Sequence, residues 1–329
     1  MGKLLLTIMT TCLGISALLG QELETFIPNA CEGGAMSLVF SEEGDFIYTA
    51  GKSEYVKKWR VEDGKPVAVS PALGDQMPQI IRVGDHLFVG GRQTDILILN
   101  ETDLTLESRW PGHTYFVEDL DFCAKSRRLA SVSRDNSFRL WDAANGENIQ
   151  TIAPGRADLM AVALSPDGQL AAFADAENEV FIHKINTSDT PQIMRGSRPV
   201  RKLAFSPDGR WLVGAAGNQL LVWEVETRAL VHRFRGHVGG ISDFIFLPDG
   251  QHILSAGLDR KVILRNLQTG RVRFSFMPHE AGISALAFDT SNQRLATAAV
   301  NGEIKIWRLS LLPIQPLPEM NQSEKGAGF

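Results

Sequence analysis

One interval constrains this chain more than any other feature. Trp59, Leu99, Trp141, His183, Trp223, Arg265 and Trp307 follow one another at steps of 40, 42, 42, 40, 42 and 42 residues. A period of this size marks a single supersecondary unit that buries its faces only by stacking on copies of itself. The segment Gly112–Asp142 shows the unit most fully: Gly-His opens it, Trp-Asp closes it, and the apolar runs Val117–Phe122, Leu129–Ser133 and Phe138–Trp141 lie between. Those runs are too short for helices, and their β-branched and aromatic residues mark them as strands. From Glu22 to Leu309 the chain has 288 residues, close to 41 for each of seven units.

The Gly-His…Trp-Asp unit resembles the WD repeat, which implies an all-β fold: a single seven-bladed β-propeller of four-stranded antiparallel blades. Glu22–Pro28 (ELETFIP) is similar to Asn148–Pro154 (NIQTIAP), the fourth strand of the third unit, whereas the chain turns proline-rich after Trp307. The N-terminal strand is therefore expected to complete the last blade, removing an open sheet edge. Innermost strands alternate small and large residues, as in Ala161 and Ala163 against Val162 and Leu164, which suits a crowded centre. Ser165-Pro-Asp-Gly168 and Ser206-Pro-Asp-Gly209 are read as tight turns rather than as phosphorylation sites.

Three regions are expected: a signal peptide over 1–20, the propeller over 21–310 and a disordered, proline-rich tail over 311–329. Lys3 followed by the uncharged stretch Leu4–Leu19 is the signal-like feature. It predicts export to a periplasmic or extracellular compartment; the alternatives are a retained N-terminal membrane anchor and a cytoplasmic protein. Outside the first twenty residues, Cys31 and Cys123 are the only cysteines, and their places in the repeat frame predict two independent thiols. A net charge of −5 and scattered aromatics speak against a nucleic-acid partner.

The histidines invite a catalytic or metal reading, but the repeat favours a structural one. The resemblance implies a buried His–Ser/Thr–Asp–Trp hydrogen-bonded tetrad in each complete blade. By position this gives His113, Ser131, Asp135 and Trp141 in unit three. Unit six has His237, Ser255 and Asp259, with Arg265 in place of Trp. Unit seven has His279, Thr297 and Trp307, with Asn301 in place of Asp. A buried carboxylate is tolerated when paired or multiply hydrogen-bonded, which supports the same assignment. No metal-ligand spacing occurs, and no cofactor is expected.

The resemblance also implies a docking face at the Gly-His end of the ring, with the residue before each turn Asp pointing outward. These residues are Lys52, Arg92, Arg134, Ala176, Ala216, Leu258 and Val300, basic in one half and small or apolar in the other. Arg156 and Arg198 on adjoining loops, with Tyr115 and Phe116 after His113, complete a candidate surface for a protein or peptide partner, acidic by charge complementarity. The expected function is a non-catalytic interaction scaffold, built as a monomeric ring and acting outside the cytoplasm. The alternative is an exported propeller hydrolase or lactonase using Glu118, Asp119, Lys202 and Asp243 at the channel mouth.

Overall fold

The computed structural model describes residues 21–196 and 198–309. These form twenty-eight strands in seven four-stranded antiparallel sheets arranged as a ring. The expected seven-bladed propeller is borne out. Six blades use four consecutive strands; blade three, for example, runs Val117–Cys123, Arg128–Ser133, Phe138–Asp142 and Asn148–Ile152 from inside to outside. The seventh joins Ile283–Asp289, Arg294–Ala299 and Ile304–Leu309 to the N-terminal strand Gln21–Ile27. The readings made for residues 1–20 and 311–329 lie outside the described residues. No helix among the described residues is long and apolar enough to cross a membrane.

The core lies between blades, because each sheet covers both faces of its neighbours. Hence the second strand Arg128–Ser133 is buried at every residue but the first, whereas the outer strand Asn148–Ile152 has no buried residue. Phe88, Ile96 and Ile98 of blade two pack with Leu120, Leu129 and Trp141 of blade three.

The closing seam is built the same way. Ile27, Ile304 and Ile306 meet Ile47, Trp59 and Val61 of blade one. Leu23 pairs with Trp307 and Ile27 with Ile304. Thr25 Oγ1 donates to the Val61 carbonyl at 2.5 Å, so the N-terminal strand bonds to the first blade while belonging to the seventh. Glu24 accepts from Arg294 Nε at 2.7 Å and from Arg308 Nε at 2.5 Å.

Two local features position the functional surfaces. In the Ser-Pro-Asp-Gly turn of blade four, Ser165 Oγ donates to Asp167 at 2.5 Å and accepts from Leu170 N at 2.8 Å, so the hydroxyl is buried in the turn. In every blade but the second, the innermost strand bulges at its second residue. The bulge re-aims that side chain, and Met36, Glu118, Met160, Arg201 and Ser242 from these positions line the central channel.

Candidate partner-binding face and the channel beneath it

Blade three holds its upper end together with a closed network. Trp141 Nε1 donates to Ser131 Oγ at 2.8 Å, and that oxygen lies 2.7 Å from His113 Nε2. His113 Nδ1 lies 3.0 Å from Asp135 Oδ2, which also accepts from Thr114 N at 2.8 Å. The other oxygen of Asp135 accepts from Ser137 N at 2.9 Å and Ser137 Oγ at 2.6 Å. One proton arrangement satisfies every member: Trp141 N–H to Ser131, Ser131 O–H to Nε2, and Nδ1–H to Asp135. Burial lowers the His113 pKa to about 4, so the ring is neutral. Burial alone would raise Asp135, but the donors from Ser137, Thr114 and His113 outweigh it and hold the carboxylate at about 2. With Ser131 wholly buried and its hydroxyl committed, this Ser-His-Asp set offers no accessible nucleophile.

The other blades depart from this pattern in ways set by side-chain length. In blade six His237 reaches Ser255 Oγ at 3.0 Å and Asp259 Oδ1 at 2.9 Å. Arg265 turns away from this set, donating to the carbonyls of Gly270 and Arg235 and lying 5.0 Å over the Phe234 ring. In blade seven Trp307 and His279 both meet Thr297 Oγ1, at 3.1 and 2.8 Å. Here the assignment of Asn301 needs correction. Its side-chain Oδ1 accepts from Glu303 N at 3.3 Å, and the group 3.4 Å from His279 Nδ1 is the Glu303 carboxylate, whose longer arm spans the gap. Blade one carries a half-network that the sequence reading missed: Trp59 Nε1 donates to Thr49 Oγ1 at 3.2 Å. The ten-residue spacing shared with Ser131–Trp141 and Thr297–Trp307 was the available signal. Cys31 and Cys123 are both buried free thiols.

Above these networks the rim residues separate. Tyr115 stacks on Phe116 at 4.3 Å, and the guanidinium groups of Arg92 and Arg134 lie 5.9 and 6.0 Å from the Phe116 ring. Blades two and three thus build one aromatic–cationic cluster. Within it Arg134 Nε donates to Glu118 at 2.5 Å, so its charge is already matched. Arg92, Lys52, Arg156 and Arg198 are exposed and form no salt bridge among the described residues. Arg198 lies apart from the cluster, against the Gly217 turn, and Lys52 packs beside Gly33. The expected outward position of Ala216 is incorrect. It pairs with Gln219 across a two-residue turn and is buried, and the turn itself begins at Gly217 with φ 62°.

The channel, about 870 Å³, is lined by Glu118, Asp119, Lys202 and Asp243 among others. These groups tie inner strands of successive blades to one another. Asp119 accepts from Gln79 Nε2 of blade two at 2.7 Å and from Val162 N of blade four at 2.9 Å. Asp121 accepts from Leu164 N at 2.7 Å. Asp243 pairs with Lys202 of blade five and accepts from Leu286 N of blade seven at 2.7 Å. Burial raises the pKa of Asp119 to about 7 and of Asp121 to about 6. Burial would lower Lys202, but Asp243, with Asp119 and Asp121 nearby, outweighs it and raises that pKa. Asp119 and Asp121 both stand inside the strand Val117–Cys123, where aspartate is disfavoured, and that was the sequence signal for this part of the girdle. No group of three or more His, Cys, Asp or Glu able to hold a metal occurs among the described residues.

Comparison with known proteins agrees with this architecture. The repeat model described as "WD domain, G-beta repeat" matches residues 104–142, 228–266 and 270–308. The model described as "Anaphase-promoting complex subunit 4 WD40 domain" matches 162–243. Similar proteins include the U3 small nucleolar RNA-associated protein 15 homolog of Xenopus tropicalis, 28% identical over 200 residues, covering 60% of this chain and 39% of that protein. The transcriptional corepressor LEUNIG_HOMOLOG of Arabidopsis thaliana is 28% identical over 191 residues, 57% of this chain and 24% of its own length. Human pre-mRNA-processing factor 17 is 25% identical over 231 residues, 65% and 39% respectively. The chain thus spans two fifths or less of these relatives. Their names, tied to small nucleolar RNA, transcriptional corepression and pre-mRNA processing, describe nuclear work and overturn the expectation of an exported protein. The matched repeats and the seven-bladed ring place this chain in the WD-repeat family.

Proposed function

We propose that the chain is a non-catalytic scaffold that docks a protein or peptide, such as a segment of another subunit in a larger assembly, on the rim face above the tetrads. The observation that carries this reading is the rim cluster of exposed Tyr115 and Arg92 with half-buried Phe116. A stacked aromatic pair costs little conformational entropy to bury and lies beside an arginine with no carboxylate partner among the described residues. Lys52, Arg156 and Arg198 extend positive charge along the same face of a protein whose net charge is −5, which favours an acidic partner. The channel carboxylates do not support the hydrolase alternative, because Asp119, Asp121 and Asp243 are engaged by backbone donors of neighbouring blades.

The test is quantitative affinity capture of tagged protein from its source cells, comparing wild type with Arg92→Glu and Tyr115→Ala. Loss of the same captured proteins by about tenfold in both variants, at unchanged melting temperature, is the expected result. Equal recovery from all three proteins refutes the face assignment.

A further inference from the structure

The rim is not uniform, and the difference lies in the residue that precedes each innermost strand. Six blades share one bond, in which the outward-pointing turn residue donates its N–H to the carbonyl of that preceding residue, or in blade two to the residue three positions ahead of the strand. The pairs are Lys52–Gly34, Arg92–Gln76, Arg134–Phe116, Ala176–Asp158, Leu258–Gly240 and Val300–Gly282. In blades six, seven and one the acceptor is therefore glycine, whereas in blades two to four it carries a side chain.

These glycines answer to close packing between blades. A Cβ on Gly282 would stand 3.1 Å from the Leu258 backbone of blade six, and one on Gly34 would stand 2.7 Å from the Val300 carbonyl oxygen of blade seven. The Cβ sides of Gly34 and Gly282 are thus filled by the neighbouring blade, and the loops that hold them carry exposed Glu32 in blade one and exposed Glu280, 3.8 Å from Arg260, in blade seven; the side chains of Leu258, Val300 and Lys52 stand between these loops. Val238 is 84% exposed, Leu258 57% and Val300 42%, so the loop and turn of blade six and the turn of blade seven present apolar groups to water. Contiguous exposure of this kind marks an interaction surface. Where it ends, at blades one and two, Lys52 and Arg92 stand exposed without a salt bridge among the described residues.

The exposed apolar groups give a partner segment its anchors, and the exposed cations at one end set its direction. We propose that the arc over blades six, seven and one seats an extended partner segment whose apolar side chains meet Val238, Leu258 and Val300 and whose carboxylates meet Lys52 and Arg92. This rests on the docking face proposed above and names the chemistry of its occupant.

The experiment is a selection of random-sequence displayed peptides on the full chain, followed by fluorescence anisotropy of enriched peptides against two double variants, Leu258→Ser with Val300→Ser and Lys52→Glu with Arg92→Glu. The expected peptides place apolar residues beside Asp or Glu. Each double variant weakens them about tenfold at an unchanged melting temperature, and the charge-reversed variant selects Lys and Arg instead. Peptides without carboxylates, or peptides bound as tightly after Leu258→Ser with Val300→Ser, overturn the proposal. Peptides weakened by Tyr115→Ala alone leave the docking face standing and remove this arc from it. A selection that enriches nothing counts against both. Tighter binding by a chain shortened after Leu309 would make the protein's own tail the occupant and would overturn an external one.

Discussion

Replacing Asp135 with alanine tests the hydrogen-bonded lock of blade three most directly. The side chain accepts from Thr114 N, Ser137 N, Ser137 Oγ and His113 Nδ1. Counted separately at about 1.5 kcal/mol for bonds to a charged acceptor, these would suggest about 6 kcal/mol. The structure argues for less. Thr114 is exposed, so its N–H recovers water, and Ser137 Oγ lies 3.1 Å from His113 Nδ1 as a fallback acceptor. The expected loss is about 1–3 kcal/mol, dominated by the buried imidazole and the Ser137 turn. For a ring of this size that lowers the melting temperature by roughly 2–6 °C. The assay is thermal unfolding followed by circular dichroism, with two companion variants. Asp135→Asn keeps one oxygen for Ser137 and should recover about half of the loss. Asp142→Ala removes the part-exposed pair with Arg128 and an exposed turn bond from Ala144 N, and should cost at most about 1 kcal/mol. The pH dependence adds an independent check. The Asp135 pKa is depressed to about 2, so its stabilisation is present above the ordinary carboxylate range and is lost as pH falls toward 2. His113 is depressed to about 4 from 6.5, so its neutral-form contribution is lost as pH falls from 6.5 toward 4. A melting temperature in Asp135→Ala equal to wild type, or equal to Asp142→Ala, would refute this reasoning.

The channel girdle makes the opposite prediction. Asp119 is raised from 3.8 to about 7, so the folded ring binds a proton more readily than the unfolded chain, and this site gains stability as pH falls from 7 toward 4. Asp119→Asn should remove that gain and leave the smaller one from Asp121, raised to about 6, set against the loss through His113; a profile from pH 7 to 5 unchanged from wild type, read by thermal unfolding, contradicts the assignment. Deleting Gln21–Ile27 should cost the whole ring rather than one blade, because Ile27 and Thr25 bind both blade seven and blade one. The expected readout is one unfolding transition lowered by at least about 10 °C, and a shortened chain with the wild-type midpoint rules this out.

The periodic part of this molecule was legible because it repeats. Trp59, Trp141, Trp223 and Trp307 hold one register, and the likeness of residues 22–28 to 148–154 located the closing strand before any coordinates did. Blade two was readable without Trp or Gly-His because Ile96–Leu99 kept the interval. What failed depended on reach or on local turn length. Asn301 occupies the aspartate position but is not the group facing His279, since Glu303 two residues on is long enough to arrive first. Ala216 occupies an outward position in alignment but is buried, because its hairpin has two turn residues. Asp119, Asp121 and Asp243 stood out as carboxylates within strands, but their backbone partners were not legible for a different reason: each bond joins residues more than forty apart, and only the ring brings the strands together.

This division also says where specificity resides. A repeat fold must reuse the contacts that hold each blade, so the recurring His, Ser or Thr, and Trp positions are committed to the fold and cannot distinguish one partner from another. Residues free to differ are those whose backbone recurs while the side chain does not, and the shared turn bond identifies them without reference to chemistry: Lys52, Arg92, Arg134, Ala176, Leu258 and Val300 make the same N–H contact with side chains that are basic in one half of the ring and small or apolar in the other. Their acceptors vary in the same arc-wise manner, glycine in blades six, seven and one and aromatic in blade three. Variation in two positions that face each other across one conserved bond, sorted by side of the ring, is what a surface shaped for an extended, polar-ended ligand requires. Exchanging the two arcs, with Phe116→Gly against Gly240→Phe, would alter partner choice while leaving every tetrad bond in place.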